Sequence, residues 1–231
     1  MTRTGKAMDR LESIIKHLRS PEGCQWDAAQ TPETLVPFLI EETYEVLEAI
    51  DSGNPDAIRE ELGDLLMQIV FHARIFTERN DFDLADVAES ISAKLIRRHP
   101  HVFEKNRQLD QASLRVQWNH IKKEEKANRN EKNDVFSGIP SGLPALARAR
   151  KCIERTALKE ITDPDRANAW EETSRALSRF KRTQLSGDST QAEYELGEIL
   201  FSLVKLSHGS KVDPEEALRK TTNRYIASCL K

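Results

Sequence analysis

Apolar residues recur at helical spacing through Met8, Leu11, Ile14, Ile15 and Leu18, then through Leu35, Leu39, Val46 and Ile50, and again through Ile58, Leu62, Leu65 and Ile69. This pattern predicts three amphipathic helices. The breaks between them fall on turn-forming residues: Ser20-Pro21-Glu22-Gly23, Asp51-Ser52-Gly53-Asn54-Pro55 and Arg79-Asn80-Asp81. A fourth helix is expected from about Leu84 to Arg98, stopped by Pro100. From Lys122 to Asp134 nine of thirteen residues are charged and only Ala127 is apolar, so this stretch reads as a solvated helix end or linker. Gly138, Pro140, Gly142 and Pro144 then mark a boundary.

The second half of the chain echoes the first. Glu41-Glu42-Thr43 returns as Glu171-Glu172-Thr173, Glu61-Leu62-Gly63-Asp64 as Glu195-Leu196-Gly197-Glu198, and Phe82-Asp83 as Val212-Asp213. The offset is 130, then 134, then 130, which places a four-residue insertion in one interhelical loop and a matching deletion in the next. The expected organisation is therefore all-α, with two tandem four-helix units: a first domain over 1–125, a charged linker over 126–141 and a second domain over 142–231. Short two-helix units bury little surface alone, so the helical bundle is expected to be completed by homodimerisation.

Composition narrows the reading. Thirty-five Lys and Arg against 38 Asp and Glu leave a net charge of −3, which excludes a polyanion binder driven by bulk charge. Nine Gly and nine Pro are few for 231 residues and favour long helices over many short strands. Nucleic-acid binding through Arg97, Arg98, Lys122 and Lys123 is disfavoured by the neighbouring Glu104, Glu124 and Glu125. Apolar runs such as Leu65-Leu66-Met67 are far too short to span a bilayer, and no apolar segment follows the charges of residues 1–10, so a cytoplasmic protein without membrane contact is expected. Cys24, Cys152 and Cys229 form no paired motif and are expected to be reduced bystanders.

The candidate chemistry lies in carboxylates placed where carbon belongs. Glu42 falls inside the apolar stripe of the second helix with Glu45 at its margin, and Glu61 lies beside Ile58, Leu62 and Leu65 with Asp64 three residues on. Two antiparallel helices joined by a short loop would bring these four acids together, where they repel and lose hydration unless a cation sits among them. All-oxygen ligation selects a hard ion, Mg²⁺ first and Mn²⁺ second. Glu41, Glu48 and Glu60 fit a solvated face better, although Glu41 and Glu60 stand close enough to position water. No His follows a Glu by three residues, which sets di-iron chemistry aside.

Glu41-Glu42-Thr43-Tyr44-Glu45, followed after fifteen residues by Glu61-Leu62-Gly63-Asp64, resembles the E-E-x-x-E and E-x-x-D signature of the MazG family of all-α nucleoside triphosphate pyrophosphohydrolases. The flanking segments Gly23-Cys24-Gln25-Trp26-Asp27 with Gln30-Thr31, and Lys94 to Phe103, are similar to those that bracket these helices in the same family. The resemblance implies that Glu42, Glu45, Glu61 and Asp64 hold Mg²⁺. It implies hydrolysis of a nucleoside triphosphate to monophosphate and pyrophosphate. Lys94, Arg97 and Arg98, on one turn near a helix end, are candidates to meet the β- and γ-phosphates, and Trp26 is a candidate to stack on the base; Phe38 and Tyr44 are expected in the core or at an interface. In the second copy Arg175 stands for Glu45, Glu198 for Asp64, Ala227 for Arg97 and Ser228 for Arg98. A cation planted beside Glu172 and Glu195 would take the place of the metal charge, so catalysis is expected in the first copy. The competing reading is a non-catalytic helical adaptor for a nucleotide or a protein partner.

Overall fold

A computed structural model describes residues 2–104, 109–128, 134–158 and 169–230. Among them the chain forms helices and no strand. In order these are α1 (Arg3–Leu18), α2 (Gln25–Ala28), α3 (Pro32–Ser52), α4 (Pro55–Glu78), α5 (Leu84–Arg98), α6 (Pro100–Phe103), α7 (Gln111–Asn128), α8 (Ala145–Leu158), α9 (Ala169–Ser186), α10 (Ser189–Gly209) and α11 (Pro214–Cys229). The chain divides into two compact units, Met1–Ile121 and Lys122–Lys231, with the division inside α7. Within the charged stretch, residues 129–133 lie outside the described residues.

Local chemistry sets the helix limits. Thr31 and Thr34 form a reciprocal capping box at the start of α3, and Pro32 supplies a first residue whose missing N–H costs nothing there. Gly53 closes α3 in the left-handed region at φ 67°, and Asn54 caps α4 by accepting from the Asp56 N–H. With only Gly53 and Asn54 between them, α3 and α4 must run antiparallel, and they pack along their lengths. Asp83 and Asp86 make a second capping box for α5, which spans Leu84–Arg98 as the sequence pattern requires. Its counterpart Asp213 caps α11.

The packing repeats in each unit. In the first, the α3–α4 hairpin is backed by α1; in the second, the α9–α10 hairpin is backed by α8. The first core is Ile15, Leu35, Val70, Phe71 and Ile75, with Met8, Leu11, Phe38 and Leu66 against it. Part of the expected stripe lies elsewhere: Ile14, Ile50, Leu62 and Ile69 are exposed. The cause is visible on α3, whose apolar residues occupy two faces. Leu35, Val46 and Ala49 are buried, while Val36, Ile40, Tyr44, Leu47 and Ile50 form an exposed stripe at helical spacing.

Arg19 ties the end of α1 to the rest of its unit. Its side chain is only 7% exposed and pairs with Glu78 at 2.8 Å. It donates to the carbonyls of Asp27 and Gln30 at 2.6 and 3.1 Å and lies over the Phe71 ring. Arg19→Ala would leave Glu78 with Arg74 alone and strand two carbonyls, and should destabilise the protein by about 3 kcal/mol, seen as a melting point roughly 10 °C lower. The hydrogen bond from Arg19 chiefly holds the Glu78 carboxyl below its usual range, helped by Arg74. A depressed folded pKa contributes stability above the ordinary glutamate range that is lost as pH falls through the depressed value. The parent should therefore lose stability over that acid window, and Arg19→Ala should show a shallower loss.

Candidate active site

The α3–α4 hairpin delivers the acids as pairs one turn apart on facing helices. Glu42 and Glu45 from α3 and Glu61 from α4 each offer a carboxylate oxygen, and the three oxygens lie within 4.8 Å of one another. Glu42 and Glu61 are half-buried, and Glu45 is exposed. Burial is the first cause that raises the Glu42 carboxyl above its usual range; a hydrogen bond shared with Glu45 and the charges of Asp64 and Glu45 add to it. Glu61 is raised for the same first reason, then by the charges of Glu45, Asp64, Glu60 and Glu48. Asp64 thus acts on both acids, yet it stands outside the group of three close oxygens.

The groups that push on Glu42 and Glu61 are other carboxylates. Like charges at this spacing oppose ionisation, and a divalent cation removes the conflict. Three converging carboxylates without nitrogen or sulfur form a hard donor set, so the residues present fit an ion such as Mg²⁺ or Mn²⁺.

The remaining sequence candidates are placed as follows. Glu41 is exposed and is not in the close group. Lys94 is half-buried and Arg97 exposed on the last turns of α5. Arg98 lies over the Trp118 ring of α7, 5.0 Å from its centroid, and His99 meets the same ring edge-on. Trp118 was not a sequence candidate; its signal is a large aromatic in a helix otherwise rich in charge. Trp26 is 56% exposed and packs edge-on against Phe38 at 5.9 Å. Gly23, just before it, passes so close to the His17 and Leu18 carbonyls that a Cβ would collide with them. A second residue absent from the sequence candidates is Gln68 of α4, which is 5% exposed, with its side-chain Oε1 buried and unpartnered. A polar amide inside the run Leu65 to Phe71 was the available signal.

In the second unit the corresponding acids already have cations. Lys205 Nζ lies 3.0 Å from Glu172. Glu195, 4% exposed, accepts from Arg179 at 2.8 Å and from Gln191 at 3.0 Å. The Arg179 bond chiefly holds the Glu195 carboxyl below its usual range, opposite to Glu61. The sequence pointed to Arg175 as the internal cation, and this is corrected: the ion pairs run to Lys205 and Arg179, while Arg175 is exposed. At the offsets of the repeat, these two cations replace Phe71 and Ala49, both buried in the first unit.

A helical hairpin that brings Glu42 and Glu45 of one helix against Glu61 of the next defines an all-α protein with a carboxylate cluster between its two long helices. Comparison with known proteins assigns the lineage. Residues 30–103 match the MazG nucleotide pyrophosphohydrolase domain. The chain is 42% identical over 226 residues to the Thermotoga maritima nucleoside triphosphate pyrophosphohydrolase/pyrophosphatase MazG, covering 98% of this chain and 85% of that one. It is 38% identical over 227 residues to a nucleoside triphosphate pyrophosphohydrolase of Escherichia coli K12, covering 94% and 84%. The chain belongs to the MazG family and is an enzyme.

Proposed function

We propose that this enzyme hydrolyses nucleoside triphosphates between the α- and β-phosphorus, giving nucleoside monophosphate and pyrophosphate, with Mg²⁺ held by Glu42, Glu45, Glu61 and Asp64 of the first unit. The observation that carries this reading is the close group of carboxylate oxygens whose dominant charged neighbours are other carboxylates. The relatives from Thermotoga maritima and Escherichia coli are named for the same reaction. When bound, the ion supplies Lewis-acid polarisation of phosphoryl oxygen and charge for the leaving pyrophosphate; Mn²⁺ is the expected substitute. Lys94, Arg97 and Arg98 contribute positive charge for the outer phosphates, Glu41 helps order the attacking water, and the exposed part of the Trp26 ring offers a stacking face for the base.

The second unit, with its acids neutralised internally, serves assembly or regulation. The exposed stripe Val36, Ile40, Tyr44, Leu47 and Ile50 on α3 supports a homodimer that completes the bundle. A cytoplasmic location without a membrane partner is part of this reading; no helix among the described residues is long and apolar enough to cross a membrane. Nucleic acid is not an expected partner.

The test is product analysis on a mixture of nucleoside triphosphates with and without Mg²⁺. Monophosphate should appear only with the metal. Monophosphate is the product to follow, because a relative also named as a pyrophosphatase would consume pyrophosphate. A Mg²⁺-raised melting point with no monophosphate formed would establish the adaptor reading instead.

A further inference from the structure

The net charge of −3 is unevenly divided along the chain. Residues 1–121 carry 14 Lys and Arg against 21 Asp and Glu, whereas residues 122–231 carry 21 against 17. Part of the positive excess stands in one row on α9. Arg175, Arg179 and Arg182 follow Glu172 at steps of three, four and three residues, which puts all four on one helix face. That face meets α10, because Arg179 bonds Glu195 at 2.8 Å and Lys205 reaches back to Glu172 at 3.0 Å. At the offsets of the repeat the three arginines stand for Glu45, Ala49 and Ser52, and Lys205 stands for Phe71. Positions that give the first unit four acids and no cation therefore give the second three acids, Glu198 included, and four cations. Lys205 and Arg179 neutralise Glu172 and Glu195. Arg175 and Arg182 take no part in those pairs: both are exposed, and neither has an ion-pair partner among the described residues. Like charges one turn apart weaken a helix, and Ala49 and Ser52 show that the same hairpin forms without them. Folding alone does not account for the row.

We infer that this face of the second unit is a metal-independent site for a di- or triphosphate group, with Arg175 and Arg182 as its two arms. In the first unit the carboxylates need a divalent ion before an anion can approach; here guanidinium supplies the positive charge directly. Its planar fork of N–H donors matches phosphate oxygens, and its charge does not titrate away. The two arms start seven residues apart, about 10 Å along the helix, and can converge over Arg179. That separation suits a chain of two or three phosphates better than a single one. The ligand is free pyrophosphate or the triphosphate of a nucleotide, and its binding would report the level of product or substrate to the unit whose own acids are closed to metal.

The experiment is calorimetric titration of the full-length protein with inorganic pyrophosphate and, separately, with a nucleoside triphosphate, both in EDTA so that neither metal-dependent binding nor turnover contributes. One ligand per chain should bind. Arg175→Gln combined with Arg182→Gln should weaken binding about tenfold per arginine removed. The ligand-free variant should melt no lower than the parent, because neither side chain holds an ion pair; each single substitution carries the test if the pair does not fold. Arg97→Gln with Arg98→Gln, in the first unit, should leave metal-free binding unchanged. Equal affinity for the two ligands assigns the site to the phosphate chain alone, and tighter binding of the triphosphate assigns it to the nucleotide; either result supports the inference. No binding by the parent would overturn it and leave the basic face to an acidic protein partner. Binding within twofold of the parent's after both substitutions, or binding lost with Arg97 and Arg98 instead, would overturn it as well. Monophosphate formation with Mg²⁺ separates this inference from the active-site reading. Turnover without metal-free binding sinks only the present one, whereas metal-free binding that depends on Arg175 and Arg182 stands even if turnover fails.

Discussion

Glu42→Gln should reduce monophosphate formation by about a thousandfold at saturating Mg²⁺. The substitution keeps the shape of the side chain and its place on α3 but removes one negative charge from the three oxygens that lie within 4.8 Å. Lewis-acid stabilisation of a phosphoryl transition state supplies several kcal/mol, and each 1.36 kcal/mol is a factor of ten in rate. Loss of most of it gives an effect of this order. The burial and like-charge repulsion that raise the Glu42 carboxyl in the ion-free protein are relieved in the variant, so its fold should be at least as stable without metal as the parent's. Loss of turnover with an unchanged or higher ion-free melting point is the expected combination. Turnover close to the parent's would move the chemistry to the second unit.

The second large effect concerns metal stoichiometry. The parent should bind one tightly held Mn²⁺ per chain, because Glu172 and Glu195 are already paired with Lys205 and Arg179 at 3.0 and 2.8 Å. Returning those two positions to their first-unit counterparts, Lys205→Phe and Arg179→Ala, removes both internal cations. Adding Arg175→Glu and Glu198→Asp restores the four-acid pattern of the first unit. The fourfold variant should bind two Mn²⁺ per chain, measured by Mn²⁺ titration of the full-length protein. Two tight ions in the parent would show that the internal cations yield to metal and that the two units do not differ as proposed. One ion in a folded fourfold variant would show that the pairs with Lys205 and Arg179 are not what closes the second site.

Much of this architecture was written in local pattern. Apolar spacing and turn residues placed α1, α3, α4 and α5, because each limit depends on a cap or a proline that acts within a few residues. The convergence of Glu42, Glu45 and Glu61 was also legible, since a two-residue connection leaves two long helices little choice but to lie antiparallel. What was not legible depends on which of several faces a helix buries. Periodicity marked Ile50, Leu62 and Ile69 as apolar and could not say that they face outward, because α3 and α4 carry apolar residues around more than one face. The cations of the second unit were misassigned for a related reason. Repeat alignment compares positions with their counterparts and finds Arg175 opposite Glu45, whereas the charges that reach Glu172 and Glu195 come from Lys205 and Arg179, whose counterparts are apolar. Gln68 and Trp118 escaped because the burial of one and the ring contact of the other are set by neighbours on other helices.

Crystals grown with Mn²⁺ and a non-hydrolysable nucleoside triphosphate analogue would test the account most directly, through the anomalous signal of the metal. The signal should fall among the carboxylates of Glu42, Glu45, Glu61 and Asp64, with the triphosphate beside it. Metal seated between Glu172 and Glu195, or a triphosphate bound away from the α3–α4 hairpin, would contradict it.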